Sequence, residues 1–225
     1  MVRHTMTILA FGCSITHGAE LAYPYQHNDN IIGSYPQLVA NYLNVDCDNY
    51  SVCGISNEGI FHKVLDTIPK YSNITTVIVG WTSDLREYWK CDDRDWFIIP
   101  SWCATTRDGT LPYVKDYTDT DINLHPRICV DDITYTQPLS DLYELTVKYK
   151  FDTNEYARRK QHYIDIIRLY CKDRNIKLIE TTSMVPVDNI SIYIDNIGQW
   201  RKTLGHPSNK DHQLIAEQII KEYKL

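Results

Sequence analysis

The stretch Thr7-Ile8-Leu9-Ala10-Phe11-Gly12-Cys13-Ser14-Ile15-Thr16-His17-Gly18 decides how this chain folds. Its first five residues form a short apolar run that stops at Gly12, the signature of a buried strand breaking into a turn. The next clear amphipathic stretch, residues 35–43, sets Leu38, Val39, Tyr42 and Leu43 at helical spacing, so the order is strand, loop, helix. A serine on a glycine-containing turn at that junction has its hydroxyl at the carboxyl edge of a sheet, beside N–H groups that lack intrahelical acceptors. Such a place suits a nucleophile, and it equally suits a serine that merely caps a helix.

Working outward, residues 45–52 read as a second strand. Residues 57–68 read as a helix with Ile60, Phe61, Val64, Leu65 and Ile68 on one face, and residues 74–79 as a buried strand ending at Gly80. Strand alternating with helix implies parallel pairing through right-handed crossovers. From about 88 to 136 the periodicity dissolves into aromatic, acidic and turn-rich sequence, read as an irregular insertion over one edge of the sheet. Helical spacing returns at 139–149 and again at 154–172, where Tyr156, Tyr163, Ile167, Tyr170 and Cys171 share a face and Asp152 or Thr153 is the expected N-cap. Residues 176–182 supply a further strand. A last helix begins near Ser208 and carries Leu214, Ile215, Ile219 and Ile220.

The 225 residues are 43% hydrophobic, enough to bury one full core, and no break in composition divides them. One α/β domain over residues 1–225 is expected. With a formal charge of -6 and Lys and Arg scattered along the chain, general attraction to nucleic acid is not expected. No apolar run approaches the roughly 20 residues needed to cross a bilayer, and the opening residues do not form a secretory segment, so a cytoplasmic protein is expected. The seven cysteines are irregularly spaced and fit reduced thiols. A zinc site would have to gather Cys91, Cys103, His125 and Cys129 without a C-x-x-C pair, and no EF-hand pattern surrounds Asp116, Asp119 and Asp121. Neither metal is expected.

Four segments together resemble the SGNH (GDSL-like) hydrolase family, in the family's order and at roughly its spacing. The Gly12-Cys13-Ser14-Ile15-Thr16-His17-Gly18 turn is similar to its G-D-S-x-T-x-G block, with Cys13 in place of the aspartate. Asn49 to Asn57 resembles the second block, whose glycine matches Gly54; as a plain turn glycine Gly54 would need only positive φ. Gly80-Trp81-Thr82-Ser83 stands where the family has G-x-N-D, with Thr82 at the asparagine position and Ser83 at the aspartate position. Gly205-His206-Pro207, ahead of the last helix, is similar to the end of the D-x-x-H-P block, with Thr203 where the aspartate belongs. His212, further along, reads as a packing or surface residue. The substitutions make the pattern similar to divergent SGNH-like proteins of bacteriophage genomes.

The resemblance implies a flavodoxin-like three-layer α/β/α fold with a mostly parallel sheet, and hydrolysis of a carboxylic ester of a lipid, an acylated sugar or a small acyl group without cofactor or metal. It assigns Ser14 as nucleophile and His206 as base, with an oxyanion hole from the N–H groups of Ser14 and Gly54 and a donor at Thr82. Lacking the family's aspartate, His206 would be oriented by a backbone carbonyl, Thr203, Glu180 or Asp195. Two alternatives follow from those substitutions: a non-catalytic SGNH-fold module that binds glycan or belongs to a virion, and an acyltransferase to a sugar. Arg86 and Glu87 read as cleft-lining residues or a solvated ion pair. Trp81, Trp89, Trp96 and Trp102 read as platforms for sugar rings or acyl chains, or as ordinary core under a long loop.

Overall fold

The computed structural model describes residues 6–18, 21, 33–52, 54–83, 153–183, 186–198 and 206–225, together with the backbone of 87–91 and 94–98. Five parallel strands make the central sheet: β1 (Thr7–Gly12), β2 (Asp46–Asn49), β3 (Ile74–Trp81), β6 (Lys177–Thr182) and β7 (Ile192–Tyr193), in the order β2-β1-β3-β6-β7. Around them lie α1 (Ser14–His17), α2 (Tyr35–Leu43), α3 (Asn57–Thr67), α4 (Thr153–Asp173) and α5 (Asn209–Glu222). The crossover through α2 moves one way across the sheet and those through α3 and α4 move the other. Right-handed connections therefore put α2 on one face and α3 with α4 on the opposite one. The packing agrees, since α2 lies against α5 and α3 against α4. This is the three-layer flavodoxin-like α/β/α arrangement expected from the strand–helix alternation.

The central strands are apolar along their length because both faces are covered. Ile8, Leu9, Ala10 and Phe11 of β1 and Val77, Ile78, Val79 and Trp81 of β3 have no exposed surface. Ile60 and Val64 of α3, Ile164 and Ile167 of α4, and Ile215 and Ile219 of α5 close the core from the two sides. Of the expected apolar positions on the last helix, Leu214 points outward and is 36% exposed. That helix starts where Ser208 was read as its beginning: Ser208 and Asp211 form a capping box.

One expectation is corrected. The segment read as irregular from about 88 begins with an antiparallel hairpin, β4 (Glu87–Cys91) and β5 (Arg94–Ile98), in which Trp89 lies opposite Trp96 in register. Aromatic residues favour strands, and the preference is hidden here because Glu87, Lys90 and Asp95 interrupt any clean alternation of apolar and polar positions. The helix expected at 139–149 and the rest of the insertion lie outside the described residues.

Two strand ends approach each other closely at glycines. A Cβ on Gly12 would sit 2.2 Å from Thr16 Oγ1, and one on Gly80 would sit 2.1 Å from the same atom. Gly12 and Gly80 are register partners on β1 and β3, so the Thr16 side chain lies across both strand ends in the space that the two glycines, lacking a Cβ, leave free. Gly12→Ala is expected to lower the stability by about 1–3 kcal/mol, the usual range for overpacking a filled interior, as read from the urea midpoint.

Candidate active site

Strand register builds the site. Gly12 pairs with Gly80, so Ser14 at the start of α1 and Thr82 after β3, each two residues further on, leave the same carboxyl end of neighbouring strands. The β2 side extends the same row: Val52 N–H donates to the Gly12 carbonyl at 2.8 Å, which carries Gly54 to the edge beside Ser14. Gly54 has φ 80°, a backbone conformation that favours glycine. On the other flank Ser183 N–H donates to the Trp81 carbonyl at 3.0 Å and sets Ser183 beside Thr82. Gly54, Ser14, Thr82 and Ser183 thus follow one another along the carboxyl edge of β2, β1, β3 and β6.

Ser14 opens the single turn α1, with Cys13 as N-cap and no side-chain cap bond, so its first N–H groups have no intrahelical acceptor. The turn itself is held firmly. Asn49 Nδ2 donates to the Thr16 carbonyl at 3.0 Å while Asn49 Oδ1 accepts the Ser51 N–H at 3.1 Å, stapling the end of β2 to α1. The Tyr35 hydroxyl donates to Thr16 Oγ1 at 3.0 Å and lies 3.1 Å from Thr181 Oγ1. Desolvation by burial pushes the Tyr35 phenol well above its ordinary range, so it stays a neutral donor.

The carboxyl-terminal histidine segment is anchored to the same region through α2. Tyr35 opens α2, and its N–H donates to Nδ1 of His212 at 3.1 Å. The two rings also stack, with centroids 5.9 Å apart. His212 is fully buried and serves as an N-terminal cap for a helix 177 residues away in sequence. It is therefore the packing residue of the two readings offered from the sequence. Asn209 Oδ1 lies 3.4 Å, and the Leu21 side chain 4.0 Å, from where a Cβ on Gly33 would be. The start of α5 thus lies against Gly33, just ahead of α2. His206, half-buried and three residues ahead of Asn209, precedes that helix and is close enough to His212 to oppose its protonation.

The three side chains expected as orienting groups have different fates. Both Glu180 oxygens are engaged, one by Trp81 Nε1 at 3.0 Å and the other by Arg168 Nε at 2.7 Å, in a largely buried ion pair. Asp195, half-buried after β7, accepts the Tyr193 hydroxyl at 3.1 Å. Thr203 lies outside the described residues, as do Arg86, Trp102 and the carboxylates at 116, 119 and 121. Of the cysteine and histidine set considered for zinc, Cys103, His125 and Cys129 lie outside them as well. Among the described residues no group of three or more His, Cys, Asp or Glu could hold a metal ion, and no helix is long and apolar enough to cross a membrane. Cys13, Cys47 and Cys171 are buried free thiols, with Cys47 pushed up to about 12 and Cys171 to about 11 by burial.

Two residues at the edge escaped the reading of the sequence. Asn57, the first residue of α3, spans the Thr82 backbone: its Oδ1 accepts the Thr82 N–H at 2.9 Å and its Nδ2 donates to the Thr82 carbonyl at 3.1 Å. Lys160 of α4 is only 3% exposed and donates to the same carbonyl at 3.4 Å. A signal for Lys160 was present, because it falls on the apolar stripe of α4 that carries Tyr156, Ile164, Ile167 and Cys171. Lysine is almost never so deeply buried without partners.

No family model matches the sequence, and no curated protein matches it. Among solved structures the chain is similar to a member of the lipolytic protein G-D-S-L family from Veillonella parvula (15% identity, covering 98% of this chain and 99% of that one, TM-score 0.36). It is similar also to the psychrotrophic esterase EstA from Pseudoalteromonas (11% identity, 97% and 96% covered, TM-score 0.45). A third is the lipase Lip_vut3 from a goat rumen metagenome (9% identity, 96% of each chain covered, TM-score 0.47). The three are a lipolytic protein, an esterase and a lipase, and a likeness at this level assigns no residue a role.

Burial holds the His212 imidazole down to about 4, with Asp211 opposing the shift and His206 adding to it. The unfolded chain takes up a proton at this residue near the ordinary value of 6.5, whereas the folded chain does so only near 4. Its contribution is therefore complete above pH 6.5 and is lost as the pH falls from there to about 4, by about 3 kcal/mol in all. Urea unfolding followed over that range should show the decline in the wild type. His212→Gln, which cannot protonate, should flatten it.

Proposed function

We propose that the protein is a serine hydrolase of carboxylic esters, with Ser14 as nucleophile and His206 as the base that activates it. The observation that carries this reading is the register that lines up Gly54, Ser14 and Thr82 at one carboxyl edge of the sheet. That edge is where open α/β sheets place their ligands. The tie of α5 to Tyr35 through His212, and of Tyr35 to Thr16 on the Ser14 turn, supports bringing His206 to the same edge.

In this reading Ser14 Oγ attacks the acyl carbon while His206 takes its proton, and the carbonyl electrons move onto the oxygen. The N–H groups of Ser14 and Gly54 and the hydroxyl of Thr82 stabilise that oxyanion. Collapse expels the alcohol with the proton held by His206. Water, deprotonated by the same imidazole, then frees the acid and restores Ser14. With both Glu180 oxygens engaged by Trp81 and Arg168, Asp195, Thr203 or a backbone carbonyl is the better source of the group that orients His206. The substrate is a carboxylic ester of an acylated sugar, a lipid or a small acyl group.

Thr203 in the place of a carboxylate favours a second reading, a non-catalytic glycan-binding module on the same fold. A fluorophosphonate probe separates the two. Labelling of Ser14, located by peptide mass spectrometry, together with loss of both labelling and p-nitrophenyl ester hydrolysis in Ser14→Ala, is the expected result. His206→Ala should reduce turnover by at least about a hundredfold. Labelling confined to another residue, or glycan binding with no turnover of any acyl ester, would overturn the hydrolase reading.

A further inference from the structure

The main chain of Thr82 is held from two directions. From α3, Asn57 Oδ1 accepts the Thr82 N–H at 2.9 Å, and Asn57 Nδ2 donates to the carbonyls of Thr82 at 3.1 Å and Ser83 at 3.3 Å. From α4, the buried ammonium of Lys160 donates to the Thr82 carbonyl at 3.4 Å. Asn57, Thr82, Ser83 and Lys160 are each less than a tenth exposed, so these bonds lie where water competes little. The Thr82 hydroxyl is different. It is fully buried and has no hydrogen-bond partner among the described residues. A buried hydroxyl without a partner is unfavourable, and a ligand oxygen that accepted from it would relieve that state.

We propose that Asn57 and Lys160 are positioning residues that clamp the Thr82 backbone, so that its hydroxyl and not its engaged N–H faces the oxyanion formed at Ser14. The inference rests on the hydrolase reading above and extends it to side chains on two further helices. An asparagine at position 82 would place an amide at this point by its own side chain. A threonine hydroxyl sits on a short stem, and its reach depends on where the backbone is held. The clamp supplies that placement and does its work before the substrate arrives, as preorganised donors must.

The test is a double-mutant cycle on p-nitrophenyl acetate hydrolysis. Thr82→Val should lower kcat about tenfold or more with KM changed less than about threefold, because the donor acts on the transition state. Lys160→Met should lower kcat about tenfold in the wild-type background and less than about twofold in the Thr82→Val background, because its effect passes through the lost hydroxyl. A purely structural role for Lys160 would lower kcat equally in both backgrounds, and that outcome, or no loss at all in a folded Lys160→Met protein, overturns the inference. If circular dichroism shows that Lys160→Met does not fold, Asn57→Asp, which keeps the acceptor and removes the two N–H donors, enters the same cycle. Ser14→Ala distinguishes the two levels. Turnover that survives it, or a wild type without turnover, refutes the hydrolase reading and this inference together, whereas Ser14-dependent turnover with an additive cycle refutes the clamp alone.

Discussion

The hydroxyl of Tyr35 is the contact on which the edge of the sheet depends. It reaches from the first residue of α2 to Thr16 on the turn after β1 and to Thr181 on β6, and lies 2.9 Å from where a Cβ on Gly80 of β3 would be. Three neighbouring strand ends are thereby referred to one buried polar atom, in a region where an unpaired hydroxyl would be strongly unfavourable. The same residue uses its N–H to bind His212, so the last helix is tied to the same point. Each bond adds about 0.5–1.5 kcal/mol to stability. Their larger effect is to fix where the chain turns as it leaves the sheet.

Those turns decide the chemistry available. Parallel strands with matched register deliver the residues two beyond Gly12 and Gly80 to the same edge, where Ser14 and Thr82 are both buried. Asn49 and Asn57 play related roles on the two sides of Ser14. Each bonds the backbone of a neighbouring turn, one at Thr16 and the other at Thr82. Loops that carry reacting groups have few backbone partners of their own, and side-chain amides with both a donor and an acceptor are suited to supply them. The backbone at this edge is thus held by side-chain bonds at Thr16 and Thr82, and donors fixed in place are the ones that stabilise a developing charge best.

Much of the framework was legible in the order of residues. The apolar run before Gly12, the periodic face of α2 and the buried strand at Ile74 are local patterns, and each became the element it suggested. Ser208, read as the beginning of the last helix, caps it with Asp211, since a capping box needs only residues three apart. The aromatic hairpin at 87–98 was not legible. Charged residues interrupt its alternation, and pairing across strands is not written in either strand alone. Nor was the fate of Glu180, whose partners Trp81 and Arg168 stand 99 and 12 residues away.

What the residues alone determined is the α/β class, the positions of Ser14, Gly54, Thr82 and His206 at the ends of elements, and the departures from the motif at Cys13, Thr82, Ser83 and Thr203. These are matters of local periodicity and short spacing, which act within a few turns of chain. Tertiary structure alone decided that His212 caps α2, that Glu180 is bound to Arg168, and that Asn57 and Lys160 meet at Thr82. Those outcomes depend on which buried donor finds which acceptor when distant segments pack. Most polar groups withdrawn from water find a partner, and the pairing is settled by the shape of the whole core, not by any stretch within it.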